Sequence, residues 1–122
     1  MKRCLIVDDS RVIRRVASKI IQDLGFDVDE AENGRKALNA LTIRMPDLIV
    51  VDWDMPVMDG LEFTGELRKL PGGNKVVVVF CTTENDAPHI RQALEAGADE
   101  YIMKPFDSEI VRSKLVLLGL LG

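Results

Sequence analysis

Hydrophobic residues fall along this chain in two alternating patterns. Cys4–Val7, Leu48–Val51, Val76–Cys81 and the short Tyr101–Met103 are unbroken apolar runs, the mark of strands buried on both faces. Asp27–Ala31 alternates and reads as an edge strand. Between the runs the spacing becomes helical. Val12, Ile13, Val16, Ala17, Ile20, Ile21 and Leu24 form one stripe, which leaves Arg11, Arg14, Arg15, Lys19 and Gln22 facing water and Gly25 as the stop.

Four more helices follow from local signals. Asn33–Thr42 is a short one. Asp59-Gly-Leu-Glu62 has the form of a capping box, opening a helix that runs to about Leu70 before Pro71-Gly72-Gly73. Asp86 can cap a fourth, with Pro88 in its first turn and Gly97 at its end. Asp107 or Ser108 starts a fifth, packed through Ile110, Val111, Leu115 and Leu118. The order is βαβαβαβαβα, and right-handed crossovers turn it into a mostly parallel α/β sheet, doubly wound with helices on both faces. Ligands of such folds bind outside the carboxyl ends of the strands.

Those ends carry the chemistry. The first strand runs into Asp8-Asp9, the third into Asp52-Trp53-Asp54, the fourth into Thr82-Thr83 and the fifth into Lys104-Pro105. One of Asp8 and Asp9 could simply cap a helix, as Ser10 also could. Capping does not account for a third carboxylate arriving from another strand. Carboxylates held together repel, so some stay protonated or they share a cation. Hard oxygen donors with room for water suit Mg²⁺. Lys104 can bring a point charge, and Thr82 a hydroxyl, to a phosphate held there.

Composition adds boundaries. The chain has 122 residues, room for one domain over its whole length, and its 47% hydrophobic, 30% charged, 5% aromatic make-up suits an aliphatic core. A net charge of −4 gives no basic footprint for nucleic acid. No apolar run approaches the roughly 20 residues of a membrane span. Lys2-Arg3 precedes only Cys4–Val7 before Asp8, too short for a signal sequence. Cys4 and Cys81 lack metal-ligand spacing and read as core thiols of a reducing compartment. A cytoplasmic protein without membrane contact is expected.

Taken together, Asp8-Asp9, the block Val51-Asp52-Trp53-Asp54-Met55-Pro56 with Met58-Asp59-Gly60, Thr82, Ala96-Gly97-Ala98, Tyr101 and Lys104-Pro105-Phe106 closely resemble the response-regulator receiver family. The likeness is strongest to its stand-alone, chemotaxis-type (CheY-like) members and covers the chain from first strand to last helix. It implies a flavodoxin-like five-stranded sheet of order 2-1-3-4-5 and a cis Lys104–Pro105 bond. It implies Asp52 as phosphoacceptor, with Asp9, Asp52 and the backbone carbonyl of Asp54 as Mg²⁺ ligands and Asp8 acting through water. Thr82 and Lys104 would bind the phosphoryl group, and Tyr101 would turn inward as the switch. Asp54, Thr83 and Glu84 would tune the rate of hydrolysis. The implied donor is a sensor histidine kinase or a histidine phosphotransfer protein. Output would pass through the fourth helix, fifth strand and fifth helix to a protein target, such as a flagellar motor switch or a further kinase. No such target is needed for a phosphate sink. A monomer is expected, and not a turnover enzyme.

Two other classes fit parts of the pattern. Asp52-Trp53-Asp54 after an apolar strand is similar to the nucleophile motif of haloacid-dehalogenase-type phosphatases, which place it near the start of a longer chain. A flavodoxin-like electron carrier shares the fold order, yet Asp8-Asp9 would repel the phosphate of FMN. Lone His89 is expected simply to be exposed, and Trp53, the single tryptophan, to report on the cluster.

Overall fold

The computed structural model describes residues 2–83 and 87–122. Its elements are β1 (Arg3–Val7), α1 (Arg11–Asp23), β2 (Asp27–Ala31), α2 (Gly34–Leu41), β3 (Leu48–Asp52), α3 (Gly60–Lys69), a 3-10 turn (Gly73–Lys75), β4 (Val77–Thr82), α4 (Ala87–Ala96), β5 (Glu100–Met103) and α5 (Ser108–Leu117). All strand pairs are parallel, and the order β2-β1-β3-β4-β5 is the expected one. The Lys104–Pro105 bond is cis, also as expected.

Local chemistry explains the element boundaries. Ser10, Asn33, Asp59 and Asp107 each cap a helix by accepting from the backbone N–H three residues on. Gly25 and Gly97 end helices at φ +99° and +116°, a region that side-chain-bearing residues rarely adopt. Asp86, the expected cap of α4, lies outside the described residues.

The core lies in two layers because successive strand residues point to opposite faces. Leu5, Val7, Ile49, Val51, Val78 and Phe80 face α2, α3 and α4, while Cys4, Ile6, Leu48, Val50, Val79 and Cys81 face α1 and α5. Phe63 and Phe80 are fully buried, and truncating either to alanine would cost about 3–5 kcal/mol.

Three expectations about helix faces are corrected. In α1, Val12 and Val16 are 70% and 46% exposed, while Ser18 is buried and the Arg14 side chain is only 14% exposed. The helix is rolled toward β2, where Glu30 satisfies both polar groups: its Oε1 lies 3.1 Å from Arg14 Nε, and its Oε2 accepts from Ser18 Oγ at 2.9 Å. Hydrophobicity alone sets a stripe, but a carboxylate partner on a neighbouring strand can draw polar residues into it. In α5, Ile110 is exposed, because Val111 and Leu115 already fill the contact with the sheet. Among the described residues no helix is long and apolar enough to cross a membrane.

Candidate functional site

Every strand ends at the same edge of the sheet, and β1 and β3 lie side by side where the order reverses. Val7 pairs with Val51, so Asp8 and Asp52 extend from neighbouring strands at the same level. Asp52 is a register partner of Cys81, and Thr82 of Met103, which places Lys104 just beyond β4. The Lys104 N–H donates to the Thr82 carbonyl at 2.8 Å, continuing the ladder into the loop.

The side chains converge. Lys104 Nζ donates to Asp8 Oδ2 at 3.0 Å and to Asp52 Oδ1 at 2.9 Å. Carboxylate oxygens of Asp8, Asp9 and Asp52 all lie within 4.8 Å of one another. Asp8 and Asp52 are buried, at 3% and 8% exposure, whereas Asp9 is open to solvent. One ammonium thus faces three carboxylates, and the site keeps a surplus of negative charge.

The electrostatics register that surplus. Burial raises the Asp52 carboxyl above its ordinary 3.8; the Lys104 hydrogen bond works against the shift, and the charges of Asp8 and Asp9 add to it. Burial also works to lower Lys104, but its hydrogen bonds to Asp52 and Asp8 outweigh this and hold it above 10.5. Both shifts favour keeping positive charge in the site. Hard oxygen donors, surplus negative charge and one solvent-open carboxylate fit a divalent cation of the Mg²⁺ kind.

The loop after β3 closes tightly over the site. Gly60 N–H donates to the Trp53 carbonyl at 2.9 Å, and a Cβ at Gly60 would stand 2.7 Å from the Asp52 carbonyl oxygen. Only glycine permits that approach. Val57 in the same loop is exposed and has φ +74°, unusual for a β-branched residue. Trp53 packs edge-on against Phe80 at 5.6 Å and His89 at 5.2 Å. His89 is therefore half-buried against the indole, not simply exposed.

The remaining expected residues distribute unevenly. Thr82 is buried at the end of β4, while Asp54 and Thr83 are exposed at the rim. Glu84 lies outside the described residues. Tyr101 is half-buried on the core of the α3 and α4 side, with Lys114 Nζ 4.9 Å from its ring centroid. Sequence reasoning missed Arg14, whose Nη1 donates to the Asp8 carbonyl at 2.7 Å. Its one local signal was a place beside Ala17 and Ile21 on the inner face of α1.

A parallel five-stranded sheet with an acidic cluster and a lysine at its switch point defines a receiver-type α/β domain. Residues 4–116 match the family described as "Response regulator receiver domain", and the chain belongs to that family. It is 36% identical over 110 residues to the chemotaxis protein CheY of Halobacterium salinarum, covering 90% of each chain. It is 35% identical over 120 residues to CheY1 of Helicobacter pylori strain 26695, covering 96% of this chain and 97% of the relative. Among solved structures, the chemotaxis response regulator CheY4 of Vibrio cholerae superposes with a TM-score of 0.92 at 33% identity, covering 97% and 98% of the two chains.

Proposed function

We propose that the chain is a phosphorylation-controlled switch of a two-component pathway, with Asp52 as its phosphoacceptor. The observation that carries this is the Lys104 ammonium bonded to Asp8 and Asp52 together, with Asp9 completing a cluster 4.8 Å across. A carboxylate oxygen of Asp52 attacks the phosphorus of a phosphohistidine on a sensor kinase or phosphotransfer protein. The P–N bond breaks, the imidazole leaves and takes up a proton, and an acyl phosphate remains on Asp52. Attack by water on phosphorus then breaks the new P–O bond and restores the carboxylate.

Positioning and charge do most of the work in such a transfer. Lys104 moves its charge from the carboxylate pair onto the incoming phosphoryl oxygens, and the Thr82 hydroxyl donates to one of them. Asp9, Asp52 and the backbone carbonyl of Asp54 would hold Mg²⁺, with Asp8 acting through water; the bound ion offsets charge on the transferred oxygens. Phosphorylation adds about −1.5 to −2 charges beside Thr82. Tyr101 then turns toward the space that Thr82 vacates, and the face formed by α4, β5 and α5 changes for a protein target. Exposed Asp54 and Thr83, with Glu84, set how readily water reaches the acyl phosphate. The relatives' names support a chemotaxis-type output; in this reading the chain acts in the cytoplasm as a monomer.

Incubation with acetyl phosphate and Mg²⁺ tests the reading. Hydroxylamine-labile phosphate should accumulate on the wild-type chain and be absent from Asp52→Asn. Undiminished labelling of that variant would move the acceptor elsewhere, with Asp54 the first suspect.

A further inference from the structure

Asp9 is the one carboxylate of the cluster that makes no hydrogen bond or ion pair among the described residues. With no side-chain partner to hold it, the range of positions open to its carboxylate is set by the backbone that carries it. The peptide joining Asp8 to Asp9 is gripped from outside: its carbonyl oxygen accepts from Arg14 Nη1 at 2.7 Å. Around it, the Asp8 N–H donates to the Ala31 carbonyl at 3.1 Å, and the Ser10 N–H donates to Asp8 Oδ1 at 2.9 Å. Arg14 is itself held. Its Nε donates to Glu30 Oε1 at 3.1 Å, and Glu30 Oε2 accepts from the buried Ser18 hydroxyl at 2.9 Å.

We propose that Arg14, oriented by Glu30 and Ser18, is a positioning residue that fixes the Asp8–Asp9 peptide plane and so aims the Asp9 carboxylate at a divalent cation. The proposal rests on the cation-binding reading of the cluster. It gives a reason for an arginine so close to a site that should attract cations. Glu30 offsets the guanidinium charge, leaving Arg14 as a directional donor more than a competing counter-ion. The fork serves two acceptors at once through Nε and Nη1, which a lysine cannot do. Groups that orient metal ligands from behind commonly change affinity about 10–100-fold when removed.

Charge and positioning predict opposite signs, which makes the proposal testable. Removing a cation beside an acidic cluster should tighten Mg²⁺ binding if only charge matters, and weaken it if the peptide plane matters. Mg²⁺ is titrated into the full chain by calorimetry and by Trp53 emission, well below each variant's melting temperature. Arg14→Ala should weaken affinity about tenfold. Arg14→Lys should not rescue it, and Glu30→Gln should weaken it severalfold. Arg15→Ala, which removes the same charge from an exposed neighbour, should bind as wild type or slightly tighter.

Equal or tighter binding by Arg14→Ala overturns the proposal. Should that variant fail to fold, unchanged affinity in Glu30→Gln overturns it instead. If wild type binds Mg²⁺, Asp9→Ala loses it and Arg14→Ala keeps it, only the positioning role falls. If wild type shows no Mg²⁺ binding by either method, the cation-binding reading falls with it.

Discussion

Replacing Asp52 with asparagine should make the metal-free protein more stable at neutral pH, although it removes the residue on which the proposed chemistry depends. With an effective dielectric of about 20, two carboxylates whose oxygens lie within 4.8 Å of each other repel by at least about 3 kcal/mol, and Asp52 has two such neighbours. Lys104 at 2.9 Å returns about 6 kcal/mol on the same scale, so attraction and repulsion nearly cancel. What remains is the desolvation of a carboxylate only 8% exposed, a cost absent from the unfolded chain. Asparagine keeps an oxygen for Lys104 without the charge, and the expected gain is about 1–2 kcal/mol.

Urea unfolding with EDTA, followed by far-UV circular dichroism, measures the difference. A slope of about 2 kcal/mol per molar urea, the middle of the range for small domains, places the variant's midpoint roughly 0.5–1 M higher. The pH dependence checks the cause. Because the folded-state pKa of Asp52 is raised, its charge costs nothing below 3.8, where it is protonated in both states. The cost builds as pH rises from 3.8 to the raised folded value and is constant above it, so the variant's advantage should be largest above the folded value and absent below 3.8. Mg²⁺ should narrow the gap by stabilising the wild type. An asparagine variant less stable than wild type at neutral pH without metal, or an advantage independent of pH, would refute the reasoning.

Two further substitutions probe the frame around the site. Val57 holds φ +74°, a conformation that costs a β-branched residue about 1–2 kcal/mol. Val57→Gly should therefore raise unfolding stability by about 1 kcal/mol after glycine's own entropy is counted, and a loss in urea melts would show the strain absent. Arg68 joins the end of α3 to the start of β4 and the end of α4. It donates to the carbonyls of Gly73 and Val76 at 2.7 Å each, to Gly97 at 2.5 and 3.1 Å, and to Asp99 at 3.0 Å. Arg68→Met should cost about 3 kcal/mol, and Arg68→Lys should not recover it; a cost under about 1 kcal/mol would mean that water replaces those bonds.

The elements and their order were legible in the sequence because their signals are local. Strands buried on both faces must be apolar throughout, and a cap such as Asn33, Asp59 or Asp107 needs only the backbone N–H three residues away. The cluster was legible for a related reason. A parallel sheet sends every strand's carboxyl end to one edge, so Asp8, Asp52, Thr82 and Lys104 had to meet near it. Only the tertiary structure decided how they meet. That Lys104 bridges Asp8 and Asp52, 96 and 52 residues away, depends on strand register and a loop conformation that no local signal encodes. The roll of α1 was decided there too. Its apolar residues allow a range of orientations, and Glu30 on β2 selected the one that turns Arg14 and Ser18 inward and leaves Val12 in water. Periodicity records what a helix prefers to bury, whereas a polar group enters the interior only where a partner from another element satisfies it.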